Sequence, residues 1–330
     1  MAPRTRKAWV RTSLRILLVA IGVVVVWFAG NRLLCSRWSV ETLTLDTNRP
    51  TPKFHGRLTI ATYNIARGGG AGGVAWQHDR EAHLARLRAI GKMLEDHRAD
   101  LVVLNEIDFD TVSSGYVDQA CTIARAGGFP WCVEQCNYDL AVPLVRIRIG
   151  NAILSRYPVR AARLLALPGY RAWETALAGR KNALVAEIEL APGVRFNLLA
   201  THLEHRSEAA RVAEARQIEA FRLESSLPLV VAGDLNSTPP GFPTAVLSPD
   251  GENAMSILLE SGGYRASPTT GPAPSDLTFR AGRPMKVIDW ILVPPTWRIS
   301  SKEVVASDLS DHLPVVLEVE ISNASVEDPR

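Results

Sequence analysis

Six apolar runs in the chain each carry a carboxylate, an amide or an imidazole at or beside one end. Asn64 closes LTIATYN (58–64), and Glu106 closes LVVLNE (101–106), with Asp108 two residues on. Thr201-His202 closes RFNLLATH (195–202); Asp234 closes LPLVVAGD (227–234), and Asn236 follows it. Asp289 lies inside VIDWILV (287–293), and Ser310-Asp311-His312 stands directly before LPVVLEVEI (313–321). A carboxylate beside such a segment is costly to desolvate unless it is paired or metal-bound. If these ends meet at one rim, they enclose several carboxylates, two imidazoles and two amides. Oxygen ligands of that kind suit a hard cation such as Mg2+ or Mn2+, and the histidines remain to move protons. Each residue alone has a plainer use, as a turn residue, a helix cap or a hydrogen-bonded core group. The ordered set is what points to chemistry.

The elements that must position these residues follow from periodicity. LTIATYN, LVVLNE, NAILS (151–155), ALVAEIEL (183–190), RFNLLATH, LPLVVAGD, VIDWILV and LPVVLEVEI read as strands. Residues 79–97, with Leu84, Leu87, Ile90 and Leu94 at helical spacing, and residues 207–224 read as helices. Pro192-Gly193 between two strands is a hairpin signal. The stretch 237–286 is rich in Pro, Gly and Ser and reads as loops with one short helix near 254–261. Hairpins exclude a purely parallel sheet. Two mixed sheets, packed together and covered by helices, accommodate both patterns.

Composition narrows the class. With 330 residues, 47% hydrophobic content and 37 basic against 34 acidic residues, the chain is neither disordered nor a multi-span membrane protein. The net charge of +3 is misleading, because residues 1–40 hold seven basic residues and no acid. The remainder has 30 basic against 34 acidic residues, about −4, whereas a nucleic-acid binder usually carries a basic surplus. Four cysteines, Cys35, Cys121, Cys132 and Cys136, are too few for a disulfide scaffold and include no C-x-x-C pair. One disulfide among the last three, or buried free thiols, fits equally well.

Residues 16–30, ILLVAIGVVVVWFAG, carry no charge. A bilayer core needs about 20 residues, and Arg15 and Arg32 can extend the span by snorkelling. Trp9, Trp27 and Trp38 suit interfacial belts. A signal-peptidase site at Ala29 or Gly30 would put Trp27 or Phe28 at −3, and a lipoprotein site at Cys35 would follow Arg32 and Leu34; both are poor. The segment therefore reads as an uncleaved single-pass anchor in the cell membrane. Its basic flank keeps the N-terminus cytoplasmic and the following domain extracytoplasmic. The expected organisation is a basic N-terminus (1–15), an anchor (16–34), a linker or irregular first strand (35–56), a catalytic domain (57–321) and a tail (322–330).

Read in order, T-Y-N-I at 62–65, L-N-E-I-D at 104–108, G-N-A-I-L-S-R-Y-P at 150–158, T-H-L at 201–203, G-D-L-N-S-T-P at 233–239, I-D-W-I at 288–291 and S-D-H-L-P-V at 310–315 resemble the endonuclease/exonuclease/phosphatase superfamily. That group includes DNase I, AP endonucleases, neutral sphingomyelinases and inositol polyphosphate 5-phosphatases. The resemblance spans roughly 57–321. It implies a DNase I-like, four-layered α/β sandwich and metal-dependent phosphoester hydrolysis. By motif match it implies Glu106 as the principal ligand of Mg2+ or Mn2+, Asn64 beside it, and Asp311 as a further metal or water ligand. Asp234 and Asn236 would orient the attacking water or the phosphate, His202 would contact the phosphate, and Asp289 would hold the imidazole of His312. Asn151 is a candidate substrate contact, and Asp108 a residue that orients a neighbour. The implied partners are a phosphoester (phospholipid headgroup, nucleic acid or small molecule) and the membrane through the N-terminal helix, with no obligate protein partner.

One departure falls where the family often has an acidic or polar residue, two positions after the first Asn. Here Ala66 stands there, followed by Arg67 and Gly68-Gly69-Gly70. This loop, RGGGAGG, lacks the Lys-Ser/Thr of a P-loop and reads as either a substrate-side loop or a solvent loop. Other classes fit less well. A serine hydrolase needs G-x-S-x-G, which is missing. His202-Leu203-Glu204-His205 is not the H-E-x-x-H of a zinc protease. A non-catalytic binding module on the same fold would be expected to lose one of Glu106, Asp234, Asn236 and His312, and all are present. Arg146, Arg148, Arg156 and Arg160 form the densest basic cluster, either a phosphate-facing stripe or a solvated edge.

Overall fold

Alternation along the strands decides this architecture, because each strand has two faces and both are covered. The computed structural model describes residues 6–35, 39–73, 79–142 and 145–321. The first five residues, Trp38 and the expected tail lie outside the described residues. Helix α1 (Arg6–Leu34) is followed by β1 (Val40–Thr44), β2 (Arg57–Asn64), α2 (Arg80–Asp96), β3 (Leu101–Asp108), α3 (Gln119–Ala126), β4 (Trp131–Val142), β5 (Val145–Ser155) and β6 (Val159–Leu165). Then come α4 (Ala172–Leu177), β7 (Ala183–Ala191), β8 (Val194–His202), α5 (Glu208–Glu224), β9 (Leu229–Asp234), α6 (Ala254–Glu260), β10 (Asp289–Leu292), β11 (Arg298–Val304) and β12 (Val315–Glu320).

One sheet has the order β1-β4-β5-β3-β2-β12-β11 and the other β10-β9-β8-β7-β6. Among the described residues only β2–β3 and β8–β9 pair in parallel; both sheets are therefore mixed. Leu58, Ile60, Leu101, Val103 and Ile153 of the first sheet meet Leu184, Ala186, Leu198, Ala200, Val230 and Ala232 of the second. The alternate residues Tyr63, Val102 and Leu104 pack outward on Leu87, Ile90 and Leu94 of α2 and Ile123 of α3. On the far side, Val185, Leu199 and Val231 pack on Ala215 and Ile218 of α5 and Met255 and Leu258 of α6. The result is the helix–sheet–sheet–helix sandwich expected from the sequence.

Several elements depart from the expected outline. Residues 40–44, in the segment read as linker or first strand, form the edge strand β1 on β4, with Leu43 packed against the outer core. Strand β4 escaped the pattern reading because its buried positions include Glu134, Gln135, Asn137 and Asp139, which break the apolar alternation. Helix α1 is long and apolar enough to cross a membrane, and its apolar side chains are exposed. Near its end the Trp27 indole donates to the Ala141 carbonyl (2.7 Å) on β4, and the Ala141 amide donates to Asn31 Oδ1 (3.4 Å). All four cysteines are free thiols.

Candidate active site

The inner faces of the strands change character along their length. In β2 the inward positions run Leu58, Ile60, Thr62, Asn64; in β3 Leu101, Val103, Asn105; in β9 Val230, Ala232, Asp234. His202 ends β8 in register with Asp234, and Asp289 starts β10 opposite the same residue. Apolar side chains thus fill the middle of the sandwich and polar ones gather at one end. The Asn64 amide nitrogen bridges the two sheets, donating to Glu106 Oε1 (3.1 Å) and Asp234 Oδ2 (3.0 Å). His202 Nε2 lies 3.4 Å and His312 Nε2 3.8 Å from the same Asp234 oxygen. His312 Nδ1 faces both oxygens of Asp289, at 2.9 and 3.1 Å. Ser310 ties the His312 segment to β2 by donating to the Asn64 carbonyl (2.7 Å).

Glu106 reaches this group through a β-bulge. Asn105 pairs with Asn151 and Ile107 with the next residue of β5, Gly150, leaving Glu106 as the unpaired extra residue. It adopts a left-handed conformation (φ 53°), and Ile107 resumes the helix-facing side. A second bulge lies opposite. Cys136 pairs with Gly150 and Tyr138 with Ile149, so Asn137 is the extra residue of β4. Gly150 between the two bulges has no room for a side chain, since a Cβ there would sit 1.8 Å from the Gln135 carbonyl oxygen. That is the physical reason for glycine in the G-N-A-I-L-S motif.

The cleft above these residues has a volume of about 490 Å3 and is walled by Glu106, His202, Asp234, Asn236, Asp311 and His312 among others. Burial raises the Asp234 carboxyl above the usual range and outweighs its cationic neighbours His312 and Lys181. Burial and the Lys181 ammonium hold His202 well below its ordinary value, so its ring is neutral. His312 goes the other way. Burial alone would lower it, but Asp289, Asp234 and Asp311 outweigh that and push it up to about 10. Asp311 is raised by burial and by the nearby Glu106 charge.

Asp234, Asp289 and His312 place ligand-type atoms within 4.8 Å of one another. His312 is hydrogen-bonded through Nδ1 to Asp289, while its Nε2 faces Asp234 at 3.8 Å, beyond hydrogen-bond distance. The open oxygen donors are the carboxylates of Glu106 and Asp311, both on the cleft wall. Both are hard oxygen donors of the kind that Mg2+ or Mn2+ takes, so the residues present fit a divalent cation. Asn64 points its NH2 at the carboxylates while its oxygen accepts from the Ala66 amide (3.0 Å). In this orientation its nitrogen bridges Glu106 and Asp234. Asn236, also left-handed (φ 49°), holds Asp234 by its backbone amide (3.0 Å) and donates its side chain to the Leu203 carbonyl (3.1 Å).

Asn151 lies elsewhere. It is fully buried and does not line the cleft. Its oxygen accepts from Asn105 (2.8 Å), and its nitrogen donates to Gln135 Oε1 (3.3 Å) and the Asn182 carbonyl (3.2 Å). Sequence reasoning passed over Asn105, the hub of this amide network. Its nitrogen also reaches the Thr201 carbonyl (3.0 Å), and its oxygen accepts the Asp234 amide (2.9 Å), joining the sheets beneath the catalytic candidates. The only available signal was an amide at the inward position next to Glu106. Buried Lys181, which donates to the Leu203 carbonyl (2.6 Å), left no sequence signal.

The loop after β2 is on the site side. Arg67 forms a two-pronged pair with buried Asp108 (2.8 and 3.0 Å), so Asp108 orients a neighbour, as expected. Gly73 passes close to Asp311. The arginine cluster makes no stripe at the cleft. Arg146 pairs with Asp139, Arg160 with Glu189, Arg148 lies against Asp139 and the Phe109 carbonyl, and Arg156 donates to the carbonyls of Ala99, Gly127 and Gly128.

Residues 61–312 match the Endonuclease/Exonuclease/phosphatase family, and the chain belongs to it. Members of this family are typically hydrolases of phosphoesters and commonly use a divalent metal. No curated protein matches the chain. Among solved structures, it is similar to an endonuclease/exonuclease/phosphatase from Beutenbergia cavernae, with TM-score 0.64 and 23% identity over 82% of this chain and 73% of that one. A mannosyl-6-phosphatase from Bacteroides thetaiotaomicron gives 0.55 and 18%, over 79% of this chain and 99% of the other. The human Nocturnin catalytic domain with bound sulfate gives 0.55 and 16%, over 87% and 99%. These are likenesses of fold.

Proposed function

We propose that the chain is a metal-dependent phosphoester hydrolase acting on phosphodiesters, with water attacking phosphorus in line with the leaving oxygen. The carrying observation is that Glu106, Asp311, Asp234, His202 and the Asp289–His312 pair share one cleft at the polar end of the sandwich. Mg2+ or Mn2+ on Glu106 and Asp311 would neutralise a nonbridging oxygen and the leaving oxygen. Asp234, fixed by Asn64, Asn105 and the Asn236 amide, orients the water and accepts its proton; its raised pKa makes it the better base. His312, held charged by Asp289, faces the charge that grows on the phosphoryl oxygens. Neutral His202 donates a hydrogen bond to the same group. Asn151 acts through Asn105 on this assembly. A binding module on this fold would have no need of the buried Asp289–His312 pair, which favours turnover.

The same reading covers organisation. Residues 1–15 lie in the cytoplasm, 16–34 anchor the chain in the cell membrane, and the domain through 321 faces outward with β1 as its first strand, followed by a tail at 322–330. The test is release of nitrophenol from bis(p-nitrophenyl) phosphate by the full chain. We expect Mg2+-dependent release, lost in EDTA and restored by excess Mg2+. Folded protein that releases none with Mg2+ or Mn2+ would sink the hydrolase reading.

A further inference from the structure

The cleft continues into a second lobe that bond cleavage alone does not need. It shares Glu106, His202, His205 and Arg206 with the first lobe and encloses about 460 Å3. Its wall is different: Tyr138, Ile149, Trp173 and Leu177 line it. Trp173 is 61% exposed, and α4, which carries it, buries no residue. An indole held open beside a reaction site loses hydrophobic stabilisation until an apolar group covers it. Helix α4 is held in place from outside its own packing. Glu174 pairs with Arg206 (2.6 and 2.9 Å), and the Ala178 carbonyl accepts from the Asp139 amide (3.0 Å) of β4.

The same strand carries the dock of α1. Tyr138 lines the lobe and Ala141 receives the Trp27 indole, three residues and about 10 Å further along the strand. Trp9 and Trp27 stand about 27 Å apart along α1, close to one hydrocarbon thickness of about 30 Å. A bilayer spanned by that segment therefore has its outer interface at the Ala141 end of β4, beside the apolar lobe. Several arginines near the cleft already carry partners. Arg67 is paired with Asp108, Arg206 with Glu174 and Glu204, Arg146 with Asp139, and Arg160 with Glu189 at the surface.

We infer that this lobe receives the hydrocarbon part of a long-chain alkyl or acyl phosphoester taken from the bilayer, with its phosphate at Glu106 and His202. The inference rests on the hydrolase reading above. Trp173 and Leu177 then determine selectivity for the apolar group, while the phosphate end is held as for any phosphodiester.

The test uses the full chain in maltoside micelles, with hexadecyl p-nitrophenyl phosphate and methyl p-nitrophenyl phosphate as paired substrates. We expect kcat/KM to favour the hexadecyl ester. Trp173→Ala and Leu177→Ser should each cut the hexadecyl-to-methyl ratio by about tenfold, the scale of one lost buried side-chain contact. Micelle partitioning is common to all variants and cancels in that comparison. An unchanged ratio in both variants overturns the inference and leaves the hydrolase reading standing. So does preferential cleavage of a single-stranded oligonucleotide that Trp173→Ala abolishes, since the indole would then be a base-stacking platform. A second arm needs no turnover. Asp234→Asn protein in vesicles is photolysed with a phosphocholine carrying a diazirine on its acyl chain. Adducts on residues 173–178 are expected, even if no ester is hydrolysed; adducts on α1 alone would overturn the inference.

Discussion

Two buried clusters in this molecule look alike on inspection of their atoms. Asp234, Asp289 and His312 form one; Cys121, Cys132 and Glu134 form the other, and in each the ligand-type atoms lie within 4.8 Å. Their surroundings differ. Asp234 has Lys181, His202 and His312 as cationic or polar neighbours and opens on a cleft. Glu134 has two thiols at 3.6 and 3.8 Å and the Asp118 carboxylate, and among the described residues no lysine or arginine pairs with it. Burial and those acidic neighbours push Glu134 up to about 10, so it stays protonated. One cluster keeps its charges by pairing them at an opening, and the other avoids charge altogether inside the core. Proximity of ligand atoms does not make a reactive site; charge that is compensated and accessible does.

The sharpest way to break this contrast is to remove the charged residues. Asp234→Ala and His312→Ala should each lower turnover of bis(p-nitrophenyl) phosphate by roughly 100-fold or more, the scale of general acid–base contributions. Wild-type rates in both would end the mechanism. Next in size is Asn105→Ala, which leaves the Asp234 amide and the Asn151 oxygen without partners. Thermal unfolding should report a loss of about 1–3 kcal/mol. Glu134→Gln sharpens the other side. An acid raised from 4.5 to about 10 on folding binds its proton more tightly in the native state, so its contribution to stability falls as pH rises through that window. The variant lacks this penalty; its melting temperature relative to wild type should climb between pH 5 and 8, with no loss of turnover. An identical pH trend in both proteins would show that Glu134 does not titrate as described. The smallest effect is expected from deleting residues 1–37, before β1 begins. Turnover of the soluble nitrophenyl ester should stay within about twofold, and failure of the shortened chain to fold would make α1 part of the core.

Much of this was legible in one dimension. Strands with an apolar middle and a polar end announced both the sandwich and the rim, because a period of two forces inward residues into one column. Asn64, His202 and Asp234 could be read that way. Glu106 was legible as a polar strand end, but not as facing the rim, since alternation predicts the helix-facing side and the bulge that turns it leaves no pattern. The amide network around Asn105 stayed hidden because its members come from four distant strands or loops, none with a pattern of its own. Strand β4 was missed for a related reason: its buried polar residues are satisfied by tertiary partners, which no local periodicity records.

The bulge at Glu106 also bears on how regular the fold could have been. Asn105 and Ile107 oppose consecutive residues of β5, so excising Glu106 would close the ladder without moving any other pair. The shortened strand would shed a left-handed non-glycine residue, a strain of about 1–2 kcal/mol. It would be the more regular protein, with no carboxylate turned from β3 to the cleft wall. One residue thus separates a smoother ladder from one that presents a carboxylate to the cleft.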